Sequence, residues 1–259
     1  MHRFSFETMG TVASIALAQT PEPGVAAELS RELTAICAEV EQRFSLHRRD
    51  SELSLINRGE LRLTEASGSL RAAYAEAMQW SLATGGAFTP HRPDGALDLN
   101  GIVKAQAIAD CVELLRAEVS GANVTIGGDG ECFGAPDPSR PDQPWRAGIA
   151  DPHDRQLLLA SMDLTPGWQA LATSGSSERG DHIWTRPGVR APLQVSVAAA
   201  NIVAADVLAT AITADPASAE PWCARFDAEF LLMDADGGIH GSGAFAEPSA
   251  VRSPGSFST

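Results

Sequence analysis

Four polar, glycine-bearing segments interrupt otherwise hydrophobic stretches of this chain, and each could support chemistry. The first, Asp98-Leu99-Asn100-Gly101-Ile102-Val103-Lys104, falls where a helix is predicted to start. Exposed amides at a helix N-terminus favour anions, and Lys104 adds a point charge one turn in. Asp98 or Asn100 acting as a plain N-cap explains the same residues. The second, Ile126-Gly127-Gly128-Asp129-Gly130, follows a strand and could form an amide nest, although an ordinary tight turn accounts for it better. Its spacing fits neither a phosphate-binding nor a dinucleotide-binding fingerprint. The third, Thr173-Ser174-Gly175-Ser176-Ser177-Glu178-Arg179 with His182-Ile183 after it, suggests nucleophilic hydrolysis. A nucleophile elbow needs glycine on both sides of its serine, and Thr173 precedes Ser174, which argues against a serine hydrolase. The fourth, Ala205-Asp206-Val207-Leu208-Ala209-Thr210, puts a carboxylate and a hydroxyl four residues apart, on one helix face. Two hard oxygen donors suit Mg²⁺, which keeps waters and borrows phosphate oxygens. Read alone, the pair is better explained as an acid near a helix N-terminus and a threonine bonded back to a carbonyl.

These segments need elements to position them. Residues 4–18 read as a strand or hairpin interrupted at Met9-Gly10-Thr11. Leu29, Leu33, Ile36, Val40 and Phe44 recur at spacings of three and four, predicting an amphipathic helix over 24–44. Further helices are expected over 69–84, ended by Gly85-Gly86, over 101–118 and over 203–214. Strands are expected over 123–126, 145–149, 157–164, 170–173, 193–199 and 229–234, with loops over 89–96 and 134–144. The elements interleave without regular βαβ spacing, which predicts an α+β fold. No repeat or clear linker divides the chain, so residues 1–245 read as one domain and residues 246–259 as a disordered tail.

Composition narrows the function classes. The formal net charge is −14, with no basic stripe, so nucleic acid is not an expected partner. No apolar run approaches the roughly 18 residues a membrane span needs. The N-terminus lacks an apolar signal segment, which together with four scattered cysteines suggests a cytoplasmic protein with reduced thiols. Eighteen of the nineteen basic residues are arginine, and Lys104 is the one lysine. Chance or a need for a compact ammonium would each explain it.

Taken in order, the segments resemble the FAD:protein FMN transferases, the ApbE-like flavin transferases, from Met9 to about Ala214. The match begins at Met9-Gly10-Thr11 and continues through Phe44-Ser45 and Ser51-Glu52-Leu53-Ser54-Leu55-Ile56-Asn57, close to a family pattern of FS, a short gap and SELSxxN. Gly85-Gly86-Ala87-Phe88, Asp98 to Lys104 (DLxGIxK) and Ile126 to Asp129 follow. Thr173-Ser174-Gly175, His182-Ile183, Val195-Ser196-Val197 and the Asp206, Thr210 pair complete the series.

The resemblance implies a single ApbE-like, T-fold-related domain of mixed sheets with packed helices. By the same resemblance, Asp206, Thr210 and the Gly101 carbonyl would bind Mg²⁺. Met9, His47, Ala87, Phe88, Thr89, Asp98, Lys104 and Ile183 would line an FAD pocket, and Asp206, Lys104 and His182 would serve catalysis. Such an enzyme would transfer FMN from FAD to a Ser or Thr hydroxyl of an acceptor protein, releasing AMP. Alternatives are an FAD pyrophosphatase giving FMN and AMP, or a non-catalytic flavin-binding protein. The chain departs from the family pattern in having only residues 89–97 between the GGAF and DLxGIxK motifs. It also has Thr89 in place of an aspartate, Trp184-Thr185 after His-Ile in place of Asp-Pro, and Ala209 where some members carry another carboxylate.

Overall fold

The computed structural model describes residues 1–175 and 189–245. The tail over 246–259, together with His182 and Ile183, lies outside them. Strands β1 (His2–Thr8) and β2 (Thr11–Leu17) form a hairpin whose two-residue turn, Met9-Gly10, has positive φ at both positions, 48° and 70°. That conformation matches the strand twist but costs about 1–2 kcal/mol at a residue with a side chain. β2 leads to β3 (Ala122–Ile126), which turns through Gly127-Gly128 into β4 (Asp129–Phe133). β7 (Ala170–Gly175), β8 (Gln194–Ala199), β9 (Glu229–Met233) and β10 (Ile239–Gly241) extend the sheet in the order β1-β2-β3-β4-β7-β8-β9-β10. Every ladder among the described residues is antiparallel.

Helices cover one face of this sheet: α1 (Pro23–Phe44), α2 (Glu52–Asn57), α3 (Gly68–Ala83), α4 (Asn100–Glu118), α5 (Ile202–Ala214) and α6 (Ala219–Phe226). Their apolar sides meet Ile15, Val124, Ala172, Val195 and Val197 in the main core. On the opposite face a separate hairpin, β5 (Trp145–Ala150) and β6 (Leu158–Leu164), encloses a second cluster with Leu171, Ala198 and Leu231. β8 is therefore buried along its whole length, its two polar side chains included: Ser196 Oγ meets Thr173 Oγ1 at 2.8 Å and the Gln194 amide donates to the Ala150 carbonyl at 3.1 Å.

The α+β expectation holds, and most predicted elements fall within two residues of their positions. Three details differ. Asp129-Gly130 belongs to β4, so the glycine turn is confined to Gly127-Gly128. Gly130 is needed there because a Cβ would stand 2.8 Å from the Val124 carbonyl oxygen. In α1, Cys37 rather than Ile36 occupies the fully buried slot. The short helices α2 and α6 carry too few turns to show a period. No helix among the described residues is long and apolar enough to cross a membrane. All four cysteines are free and buried. Burial pushes the Cys132 and Cys223 thiols up to about 12, consistent with inert structural thiols.

Candidate functional site

The sequence of α5 is apolar nearly all round, and eleven of its thirteen residues are buried. Asn201 caps its start, accepting from the Ala204 N–H at 2.9 Å. Asp206, the one charged residue of the helix, is 4% exposed, and Thr210 lies one turn beyond it. Burying a carboxylate costs several kcal/mol unless something compensates it. Asp206 and Thr210 both face a cavity of about 990 Å³. The back-bonding expected of a buried helical threonine is made by Thr213, to the Ala209 carbonyl at 2.8 Å. Thr210 Oγ1 instead stands 3.3 Å from Ser174 Oγ, across the cavity floor on β7.

The start of α4 forms the neighbouring part of that floor. Asp98 Oδ1 accepts from the Asn100 N–H at 2.9 Å, an Asx turn that fixes the entry of the helix. Leu99 occupies the N-cap position, so Asp98 caps from one residue further out. Gly101 sits against the Phe88 ring, where a Cβ would come within 3.0 Å of Phe88 Cε2. Lys104 points inward and pairs with Asp129 of β4; its side chain is 14% exposed and that of Asp129 2%. The other oxygen of Asp129 accepts from the Thr173 N–H at 2.8 Å. Lys104 thus carries its countercharge within the protein, and its ammonium is held in a set direction.

Loops form the opposite wall. Phe44-Ser45 ends α1, and the Ser51 and Ser54 hydroxyls donate to the Ser45 carbonyl at 2.6 and 3.1 Å. Ser45 Oγ in turn accepts from the N–H groups of His47 and Arg48. This explains why two serines stand three apart there: together they pin the turn that carries His47 and Arg48. The Asn57 amide reaches forty residues along the chain, donating to the Leu97 carbonyl at 2.9 Å and accepting from its N–H at 2.8 Å. It thereby fixes the end of the 89–98 loop just before α4. Thr84 Oγ1 accepts from the Phe88 N–H at 3.1 Å, and Thr89 Oγ1 from the His91 N–H at 3.2 Å.

The cavity brings together Met9, His47, Ala87, Phe88, Thr89, Asp98, Gly101, Lys104, Asp206 and Thr210. These are all the residues assigned by resemblance to cofactor, metal or catalysis, apart from His182 and Ile183, which lie outside the described residues. Met9 owes its place to the positive-φ hairpin turn. Arg48 and Arg92 at the cavity wall, and Asp129 behind Lys104, are not among the residues expected from sequence. For Asp129 the available signal was an acid directly beside Gly130, masked by its reading as part of a turn.

The donors that Asp206, Thr210 and Gly101 offer to this cavity are one carboxylate, one hydroxyl and one helix-start backbone segment. Among the described residues no group of three His, Cys, Asp or Glu side chains could hold a metal. An all-oxygen set with a single carboxylate fits a small hard cation that shares its shell with water and substrate phosphates, and does not fit zinc.

Such a floor of helix and strand ends beneath a cleft of about 990 Å³ defines an α+β protein with a cavity of small-molecule size. The chain belongs to the ApbE family, whose model matches residues 9–92 and 89–232. Among solved structures it is similar to the flavin transferase ApbE from Vibrio cholerae, at 22% identity and a TM-score of 0.71 over 95% of this chain and 97% of that one. It is also similar to the Pseudomonas stutzeri flavinyl transferase ApbE in its apo form (21%, 0.72, 95% and 94%). The ApbE protein from Thermotoga maritima gives 19% and 0.75 over 94% and 97%. At these identities the likeness is one of fold. No curated protein matches the chain in sequence.

Proposed function

We propose that this protein is a Mg²⁺-dependent FAD:protein FMN transferase, moving FMN from FAD onto a Ser or Thr hydroxyl of an acceptor protein and releasing AMP. The observation that carries the reading is the convergence of Gly101, Lys104, Asp206 and Thr210 on one cavity large enough for a dinucleotide. Family membership supports it.

Asp206 and Thr210, with the Gly101 carbonyl, would hold the cation beside the diphosphate. When bound, the ion supplies charge neutralisation of the diphosphate oxygens and favours in-line displacement. The acceptor hydroxyl oxygen forms a bond to the phosphorus of the FMN half, the anhydride bond to the AMP half breaks, and the hydroxyl proton is lost. Lys104, aimed by Asp129, presents its ammonium to the phosphates. Met9, Ala87 and Phe88 give the flavin an apolar surface, and Asp98, Thr89 and His47 offer polar contacts. Ile183 is assigned to the same pocket, and His182 to acceptor positioning or proton removal. Orientation and electrostatics carry the rate in such a site, which needs no covalent nucleophile from the enzyme.

The test is to incubate the protein with FAD and MgCl₂, with and without an acceptor bearing a Thr-containing flavinylation sequence. Flavin fluorescence retained on the denatured acceptor, with one AMP per flavin, is the expected result. FMN and AMP formed without acceptor, and no flavin on it when present, would replace transfer with FAD hydrolysis. FAD recovered unchanged would leave a flavin-binding protein.

A further inference from the structure

Asp129 is one of two buried acids on the helix-covered face of β4, and the second, Glu131, repeats its geometry two residues along. Asp129 links Lys104 of α4 to the N–H of Thr173, whose neighbour Ser174 meets Thr210 of α5. Glu131 Oε2 accepts from the N–H of Ile202, the first residue of α5, at 3.0 Å. Its Oε1 stands 3.6 Å from Arg116 in the last turn of α4, and that guanidinium lies over the Phe133 ring, 4.7 Å from its centroid. From Asp129 to Glu131 the contacts advance along α4 from Lys104 to Arg116 and retreat along α5 from Thr210 to Ile202. The two helices therefore run in opposite senses across β4, whose acids hold α4 directly at Lys104 and Arg116 and α5 directly at Ile202, while Asp129 holds the β7 backbone beside the serine that meets Thr210.

Helix capping alone does not explain Glu131. The start of α5 already has Asn201 as its cap, and burial pushes the Glu131 carboxyl above its ordinary range despite Arg116 and the Ile202 amide. An apolar residue would spare the desolvation of that carboxylate. What Glu131 adds is a fixed point, one turn before Asp206 and two before Thr210.

We propose that Glu131 is a positioning residue of the active site: by gripping the Ile202 N–H and Arg116 together, it sets the axial position of α5 against α4, and so the separation of Asp206 and Thr210 from Gly101. This rests on the reading that those three hold a divalent cation. Outer-shell partners of metal ligands typically change metal affinity by about 10–100-fold when removed.

The test titrates Mn²⁺ into the full chain with FAD present, reading free Mn²⁺ by electron paramagnetic resonance, and measures metal-free FAD binding by flavin fluorescence. Glu131→Ala is expected to raise the Mn²⁺ dissociation constant by about 10-fold or more while metal-free FAD binding moves less than about 3-fold. Glu131→Gln, which keeps an acceptor for the Ile202 N–H, should stay within about 3-fold of wild type for both. Should alanine unfold the chain, Glu131→Met fills the space without accepting a hydrogen bond and carries the same expectation. Ile149→Ala, on the buried side of the outer hairpin, supplies a destabilised control in which the Mn²⁺ affinity should not change. Wild-type Mn²⁺ affinity in the folded alanine or methionine variant overturns the positioning role, as does an equal loss in Ile149→Ala. Wild-type protein that binds no Mn²⁺ overturns the metal-site reading and this inference with it.

Discussion

The two walls of the cavity are built by different means. The floor comes from α4, α5, β4 and β7, and its polar side chains are tied to one another or to the sheet: Lys104 to Asp129, Asp129 to the Thr173 N–H, Ser174 to Thr210. The loop wall, residues 45–50 and 87–98, is held through its backbone by Ser51, Ser54, Asn57 and Thr84, leaving His47 and Arg48 to project from pinned turns. A site that neutralises phosphate charge needs donors fixed to within fractions of an ångström, which regular elements supply. A wall that only has to recognise the ends of a ligand tolerates looser support. The floor is thus assigned to the reacting phosphates and the loops to the rest of the ligand.

Substitutions should separate the walls by both size and type of effect. Asp206→Ala is expected to lower turnover by about 100-fold or more with the melting temperature kept, since it removes the one carboxylate of the ion site and relieves a buried charge. Turnover near wild type would remove the floor's assigned role. Asp129→Ala takes away the carboxylate that Lys104 pairs with and the acceptor of the Thr173 N–H. A loss of about 3 kcal/mol in denaturant unfolding and weaker FAD binding should follow. On the loop wall, Asn57→Ala strips two hydrogen bonds from Leu97 and should destabilise by about 1–3 kcal/mol, raising KM for FAD more than it lowers kcat. Arg48→Ala, at an exposed side chain already paired with Asp50, should change KM by only about 2- to 5-fold, in line with the small worth of exposed ion pairs. A larger effect on kcat than on KM at either loop position would erase the contrast between the walls.

The smallest effect concerns pH. The folded-state pKa of Glu131 is raised, chiefly by burial, so the folded state binds its proton more tightly than the unfolded chain does. Its contribution to stability is fully present below the unfolded value of about 4.5 and is lost as pH rises through the folded value. Glu131→Gln has no such titration. Its melting temperature relative to wild type should therefore climb as pH rises above that point, and a flat difference would contradict the buried-carboxylate account.

Much of this arrangement could be read in the chain itself, for reasons that differ by element. α1 shows through its helical spacing, α3 through the Gly85-Gly86 that ends it, and α5 through an apolar stretch of the right length. The site residues were legible through ordered motifs spread over two hundred positions, since no local pattern joins Met9 to Thr210. What the motifs concealed was cause. Ser51, Ser54 and Asn57 can be seen as a pattern, but their backbone targets at Ser45 and Leu97 exist only once the turn and loop have folded around them. Asp129 and Glu131 were hidden for another reason. Asp129 stands among Gly127, Gly128 and Gly130, so local rules read a turn there and end any pattern before Glu131, and the tertiary ladder with Val124 and Thr125 overrides that preference.

Diffraction from crystals grown with FAD and Mn²⁺, recorded at the manganese edge, would interrogate the floor most directly. The expected anomalous peak lies within coordination reach of a carboxylate oxygen of Asp206, the hydroxyl of Thr210 and the backbone oxygen of Gly101, with the flavin nucleotide's phosphates completing the shell. Nucleotide bound in the cavity with the manganese elsewhere, or with no peak beside Asp206, would contradict the account.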